Sequence, residues 1–119
     1  MKLPDPDHPI AIEPNSKRVR VEFNGRVVAD TRRALTLKEA ALRPVQYVPR
    51  DDVDMASFVR TARKTHCPYK GDAAHYSLSV DGRSAENAAW TYEAPYPATA
   101  QIKDHLAFYP DRVDRIEES

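Results

Sequence analysis

The chain has few of the residues that would place it in a specialised class of protein. It contains one cysteine, Cys67, and three glycines among its 119 residues. A single cysteine excludes an internal disulfide, which fits a reducing compartment. No segment approaches the roughly 20 apolar residues that a membrane-spanning helix needs, and residues 1–7 lack the apolar run of a signal peptide. We therefore expect a cytoplasmic protein without a membrane partner.

The sequence also lacks an excess of charge of either sign. Eighteen basic residues balance 18 acidic residues, and acids are interleaved with the Lys and Arg side chains of the first half. No basic surface is therefore predicted to attract nucleic acid, and we expect no nucleic-acid partner. The length and the hydrophobic fraction of 41% are typical of one globular domain with a real hydrophobic core.

The two ends of the chain differ in composition from the middle. Residues 1–16 carry four of the ten prolines, which predicts an extended arm rather than a packed element. The arm either lies along the domain or binds another subunit, so the oligomeric state stays open. Residues 17–113 form the predicted domain. Residues 114–119 are charged, and we expect a frayed tail or a short helix there.

Two hairpins are the clearest structural signals. Residues 18–23 alternate polar and apolar side chains, Asn24-Gly25 follows, and residues 26–30 return as a partner strand. Asn-Gly favours the tight turns in which both central residues have positive φ. Asp81-Gly82 predicts a second hairpin, between strands over 74–80 and 87–92.

The rest of the chain predicts further short strands and one short helix. Apolar runs flanked by polar or proline residues indicate strands at 34–37, 45–48 and 106–109. Asp51 or Asp52 is in position to cap a short helix that runs through Phe58. The sequence therefore predicts a mainly β, single compact domain with few short helices.

The densest group of chemically active residues lies in residues 65–73, which we interpret as a shaped loop because they include Pro68 and Gly71. Cys67 is either a reactive nucleophile or redox thiol, or a small buried side chain. In the reactive interpretation His66 is the base and Lys70 gives electrostatic support, which makes these three residues the candidate catalytic set.

Lys70 beside Gly71 has a second interpretation. A lysine on a tight glycine-bearing turn presents its ammonium, together with backbone N–H groups, to an anionic or carbonyl ligand. The alternative is a plain ion pair with Asp72 or another surface acid. The Walker spacing is absent, so no phosphate-binding loop is predicted.

A metal site has weaker support. His66, His75 and His105 could join Cys67 as nitrogen and sulfur ligands of zinc. Adjacent residues on a strand point to opposite faces, which separates His66 from Cys67. We therefore predict no metal and no cofactor.

Aromatic residues supply the remaining ligand-binding candidates. Trp90 and Tyr92 are two residues apart, so a strand would place both on one face. With Tyr69 they either form a pocket wall or fill the core, and the same alternative applies to Tyr76. Arg50 either clamps a carboxylate of a ligand or pairs with Asp52.

Four ordered motifs resemble the bacterial and fungal family called domain of unknown function 427, and the match runs from about residue 18 to residue 113. The motifs are Tyr47-Val48-Pro49-Arg50-Asp51-Asp52-Val53, residues 65–73 with Tyr76, Ala89-Trp90 with Tyr92-Glu93 and Pro95, and Ala107-Phe108-Tyr109-Pro110. The resemblance implies a β-tent fold of two antiparallel sheets. Related β-tent modules hold zinc with two cysteine pairs, and this chain has one cysteine, so the resemblance implies no structural zinc here.

These observations lead to one functional hypothesis and two alternatives. The leading hypothesis is a domain that binds a small polar or anionic ligand near residues 66–71, through Arg50, Tyr69, Lys70, Gly71, Trp90 and Tyr92. The first alternative is an enzyme that uses Cys67. The second is a protein-interaction module that uses the proline-rich arm or an exposed sheet edge. Whether the chain is an enzyme stays open.

Overall fold

The computed structural model describes all 119 residues, and most of its regular secondary structure is antiparallel β-sheet. The strands are β1 Ile10–Asn15, β2 Val19–Phe23, β3 Arg26–Thr31, β4 Ala34–Glu39, β5 Val45–Tyr47, β6 Phe58–Cys67, β7 Gly71–Val80, β8 Arg83–Tyr92, β9 Leu106–Phe108 and β10 Arg115–Glu118. The helical residues form short 3-10 segments at Arg50–Asp52, Met55–Ser57 and Pro97–Ile102. The prediction of a mainly β, single compact domain is confirmed. None of the helical segments has the length or apolar character to cross a membrane.

The strands form three sheets rather than the two that the resemblance implied. The first has the order β1-β4-β5, the second β10-β2-β3 and the third β6-β7-β8-β9. Val48, just after β5, exchanges two backbone hydrogen bonds of 2.8 Å with Leu106 of β9. This bridge attaches the first sheet to the third at a corner.

Both predicted hairpins are confirmed. β2 pairs with β3 through Asn24 and Gly25, whose φ angles are 49° and 77°. β7 pairs with β8 through Asp81 and Gly82, with φ angles of 49° and 84°. Positive φ at both central residues is the geometry that matches the right-handed twist of paired strands.

The two chain ends are more ordered than their composition predicted. Residues 10–15 are not an unpacked arm, because β1 pairs with β4 along its whole length. Ile10 and Ile12 are half-buried on one face of β1. The alternation of apolar and polar side chains therefore determines a strand here in spite of the prolines. The tail is also neither frayed nor helical over residues 115–118, where β10 pairs with β2.

The predicted loop over residues 65–73 is a tight hairpin instead. Thr65 to Cys67 end β6, Gly71 to Ala73 begin β7, and Pro68 to Lys70 form the turn. Pro68 lies in the turn, where its missing N–H removes no ladder hydrogen bond. The predicted capped helix through Phe58 is also wrong, since two separate 3-10 segments without side-chain caps occupy residues 50–57.

The core has two parts, and the smaller one underlies the candidate site. Fifteen buried residues fill the space between the second and third sheets. Six more pack between the first and third sheets, namely Leu37, Tyr47, Ala73, Tyr92, Ile102 and Ala107. The smaller cluster leaves a cavity above it.

Gly71 provides a test of the β6–β7 turn. Its φ is 109°, and an added Cβ would lie 3.4 Å from the Ala94 carbonyl oxygen. We expect Gly71→Ala to lower the free energy of unfolding by about 2–3 kcal/mol, because a φ of 109° lies outside the left-handed region that a residue with a Cβ can adopt. Gly25→Ala is the control, since its Cβ would meet nothing within 4 Å, and about 1 kcal/mol is expected from positive φ alone. Urea unfolding measures both, and equal losses would contradict this description of the turn.

Candidate functional site

A cavity of about 230 Å³ lies between the first and third sheets. The β4–β5 region forms one side, and β6, the Lys70 turn and β8 form the other. Its walls combine apolar residues with a group of charged and aromatic side chains, which are Glu39, Arg43, Tyr47, Lys70, Trp90, Tyr92 and Tyr109. A concave site with a few converging polar groups is the usual form of a small-molecule site, although 230 Å³ is small for one.

A buried ion pair forms the polar end of this cavity. The ammonium of Lys70 donates a hydrogen bond to Oε1 of Glu39, and both side chains are almost fully buried, at 12% and 8% exposure. Oε2 of Glu39 lies 2.8 Å from Nε2 of His8. Burial alone favours the neutral carboxyl, but hydrogen bonds and charge from Lys70 and His8 outweigh it and hold the pKa of Glu39 below its usual value.

Local structure places each member of this cluster. Glu39 shares the inward face of β4 with the buried Leu37, two residues earlier. Lys70 is the last residue of the β6–β7 turn. The ring of Tyr69 stacks on His8 at 4.0 Å between centroids and 7° between planes, which positions the imidazole against Glu39. The N-terminal segment and the hairpin turn therefore meet at one carboxylate.

Aromatic side chains form the rest of the wall. Nε1 of Trp90 donates to the hydroxyl of Tyr47 over 3.3 Å, and the two rings meet edge to face. The hydroxyl of Tyr92 makes no hydrogen bond within the protein, and burial raises its pKa far above the usual value. Burial also raises the pKa of Tyr47. Both tyrosines are therefore neutral, and Tyr92 has its full hydrogen-bonding capacity left.

Behind this wall lies a histidine that is inaccessible to solvent. Nε2 of His75 is 3.1 Å from the hydroxyl of Tyr109, and the two rings lie nearly parallel. Nδ1 of His75 is buried without a hydrogen-bond partner. Burial, assisted by the charge of Arg63, lowers the pKa of His75, so the ring is neutral at pH 7.

The structure brings three predicted ligand-binding residues to one cavity, namely Lys70, Trp90 and Tyr92. The other three lie outside its walls. Gly71 shapes the turn, and Tyr69 stacks on His8. Arg50 lies over the Tyr76 ring, with its guanidinium carbon 5.6 Å from the centroid.

The predicted catalytic residues are divided between two faces of β6. Cys67 is half-buried and packs against the smaller core cluster. His66 points to the other face, where its Nδ1 lies 2.7 Å from Asp72. Asp72 thus pairs with His66 and not with Lys70. No three His, Cys, Asp or Glu side chains are grouped in a way that could hold a metal ion.

Sequence reasoning missed Glu39, Tyr47, Tyr109 and Arg43 as cavity residues. Glu39 lies two residues beyond Leu37, the end of the strand predicted over residues 34–37. Continuing that strand by two residues, as the structure does, places the carboxylate on the inward face. Tyr47 and Tyr109 stand inside the family motifs, but nothing in the sequence pattern points their side chains into a common site. Arg43 lies in an exposed connection without a motif.

A larger apolar groove of about 580 Å³ lies on the other side of β5. Valines of β2, with Val48 and Phe108, form its floor. Its polar residues are not buried charges but side chains at the rim, such as Gln46 and Glu118. Specific small-molecule sites need converging polar groups, so the Lys70 cavity is the better candidate despite its smaller volume.

The fold and the site together define a small, mainly β domain with a buried ion pair at the polar end of a cavity between two sheets. The chain belongs to the family described as domain of unknown function (DUF427), whose profile matches residues 11–119. No curated protein matches the chain.

The ion pair generates a prediction about stability. Lys70→Met leaves the Glu39 carboxylate buried without its cation, so we expect the free energy of unfolding at pH 7 to fall by about 3–5 kcal/mol. Lys38→Met is the matched control, because exposed Lys38 pairs only with exposed Glu13, and a loss of about 0–1 kcal/mol is expected.

The pH dependence of this difference follows from the direction of the Glu39 shift. In the wild type the pKa of Glu39 is lowered from 4.5, so its contribution to stability is complete above about 4.5 and is lost as the pH falls below that value and through the lower pKa of the folded state. Without Lys70 this contribution is much reduced. The difference in free energy of unfolding between the wild type and Lys70→Met should therefore become smaller as the pH falls. Urea unfolding at several pH values measures this difference, and a difference that stays constant would contradict the account.

Proposed function

We propose that this protein binds a small polar or anionic molecule in the Lys70 cavity. One observation carries the proposal: the cavity wall holds hydrogen-bonding groups that the protein itself does not use up. An ammonium has three N–H donors, and Glu39 accepts from one of those of Lys70. The hydroxyl of Tyr92 has no partner within the protein. Both side chains are largely shielded from water, and a ligand would supply the missing hydrogen bonds.

Charge supports an anionic ligand over a cationic one. Lys70 and Glu39 neutralise one another, and Arg43 at the exposed rim forms no ion pair. The site therefore has an excess positive charge at its entrance. A guanidinium in this position attracts and orients carboxylate or phosphate groups.

Size and shape support a compact, flat ligand. The volume of about 230 Å³ lies below the usual range for drug-sized molecules. Trp90 and the tyrosines offer flat apolar surfaces against which a ring or a planar group packs. A small planar carboxylate fits this combination of size, charge and surface.

The geometry gives less support to the Cys67 enzyme, because the predicted base His66 lies on the other face of β6. β1 packs the arm onto the domain through β4, so the interaction-module alternative keeps only the exposed sheet edges, such as those of β1 and β6. We also propose a cytosolic location, which the single unpaired thiol supports, and a β-tent arrangement of the sheets.

Benzoate tests the proposal, with benzamide as the uncharged isostere. Trp90 is the only tryptophan and lines both this cavity and the larger groove, so its fluorescence reports binding at either place. ¹⁵N NMR shifts at Lys70 and Tyr92, which line the cavity and not the groove, locate the ligand. Benzoate should change the Trp90 signal and shift resonances around Lys70, whereas benzamide should bind more weakly. The proposal is wrong if saturating benzoate leaves both probes unchanged.

Variants separate the contributions to benzoate binding. Tyr92→Phe removes only the unpartnered hydroxyl, and we expect about 2- to 10-fold weaker binding. Arg43→Gln should weaken it by about 2- to 5-fold, as expected for an exposed charge. Arg32→Gln is the matched control, since Arg32 is exposed and lies outside the cavity; its affinity should not change. Equal losses of affinity in the two arginine variants would mean that benzoate binding depends on the overall charge of the protein and not on this site.

A further inference from the structure

We propose that the molecule bound in the Lys70 cavity carries an apolar tail, and that this tail lies in the larger groove on the other side of β5. The ligand is then an amphipathic organic acid, in which a planar carboxylate head is joined to a hydrocarbon tail. This inference rests on the proposed function, because it extends the ligand of the same cavity into the neighbouring groove.

The first observation is that the cavity and the groove share part of their walls. Arg43, Val45 and Trp90 line both of them. Arg43 is exposed, and Val45 and Trp90 are half-buried. The boundary between the two spaces is therefore a partly exposed wall and not the closed core. A molecule whose head lies in the cavity can extend over this wall into the groove.

The second observation is that the groove is apolar where the cavity is polar. The pairing of β10 with β2 places Ile116 opposite Val21, and both line the groove together with Val48 and Phe108. None of the buried polar side chains of the protein lies in its walls. The groove therefore offers a surface for hydrocarbon and no buried partner for a second polar head.

Apolar side chains are also left uncovered at both places. Leu42 at the cavity is 63% exposed, and Ile116 at the groove is 37% exposed. Uncovered apolar side chains beside a concave surface are typical of sites that a ligand covers. A planar head would cover Leu42 and a tail would cover Ile116, and the gain grows with the apolar area removed from water.

Charge determines which end of the ligand enters the groove. The charged side chains of the groove are Arg43 and Glu118. Glu118 accepts a hydrogen bond of 2.7 Å from the side-chain amide of Asn15, whereas Arg43 forms no ion pair and belongs to the wall shared with the cavity. The unpaired guanidinium favours a carboxylate on the cavity side, and the carboxylate of Glu118 repels one from the groove. The uncharged tail is the part that the groove accepts.

Volume agrees with this division. The cavity of about 230 Å³ holds only a small head, whereas the groove of about 580 Å³ lies within the usual range for ligand sites.

Two tailed probes, 3-butylbenzoate and 4-butylbenzoate, test the inference against benzoate. Carrying the tail at two ring positions makes the result independent of how the ring is turned in the cavity. We expect at least one of them to bind about 10- to 100-fold more tightly than benzoate, since a fully buried methylene contributes about fourfold and the groove is open on one side. In ¹⁵N NMR spectra of the full chain, the amide resonances of Lys70 and Ile116 should shift together.

A pair of variants assigns the gain to the groove. Ile116→Gln should weaken binding of the tailed probe by about 3- to 10-fold more than binding of benzoate. Val27→Gln is the matched control, because Val27 is 40% exposed on β3 of the same sheet and lines neither the cavity nor the groove. Its affinities for both probes should equal those of the wild type. The comparison of probes in the wild type stands whether or not Ile116→Gln folds.

Sedimentation of the full chain tests the other occupant of the groove, a second copy of the protein. We expect a monomer in which the groove is free. A dimer that Ile116→Gln dissociates and Val27→Gln does not would overturn the inference, because the groove would then be an interface.

The outcomes separate this inference from the proposed function. Benzoate binding without any gain for either butylbenzoate overturns the tail and leaves the cavity ligand standing. Shifts at Ile116 without shifts at Lys70, or equal losses in the two variants, also overturn it. If neither benzoate nor the butylbenzoates bind, the proposed function and this inference are both wrong.

Discussion

The buried ion pair between Lys70 and Glu39 is the interaction on which the candidate site depends. Two charges removed from water are tolerable only together, because either one alone keeps the desolvation penalty without the attraction. The pair ties the inward end of β4 in the first sheet to the β6–β7 turn of the third sheet. His8 adds the N-terminal segment to the same carboxylate. Three parts of the chain that are distant in sequence therefore form one wall of the cavity.

The rest of the fold makes this arrangement possible because the main hydrophobic core is separate from the residues that line the cavity. The 15-residue core between the second and third sheets is apolar and holds the domain together. The smaller cluster under the cavity contains two tyrosines, Tyr47 and Tyr92, and both line the cavity. Polar groups with unused hydrogen-bonding capacity add nothing to folding, and their presence at this cavity is the support for the proposed ligand binding. Membership of the family names no reaction, and the chemistry must be argued from these side chains.

Local signals predicted the parts of this structure that local physics determines. Asn24-Gly25 and Asp81-Gly82 predicted both hairpins because the turn geometry depends on two residues. Strand β6 was missed because it is an edge strand with few buried side chains, so its sequence lacks an apolar alternation. Strand β1 was missed because the four prolines of residues 1–16 outweighed the short alternation of Ile10 and Ile12 in the prediction. Strand β10 was missed because three of its four residues are charged.

In the candidate site, too, the sequence predicted only what neighbouring residues determine. Lys70 was predicted because it stands beside Gly71, but its partner Glu39 is 31 residues away in a segment of mixed charge. Only the pairing of sheets brings the two together. The central claim is that they form a buried, charged pair, and the titration of the Glu39 carboxyl carbon by ¹³C NMR tests it most directly. The account predicts a midpoint below 4.5, the ordinary value for a glutamate. A midpoint at or above 4.5 would contradict it, because burial would then outweigh the charge of Lys70.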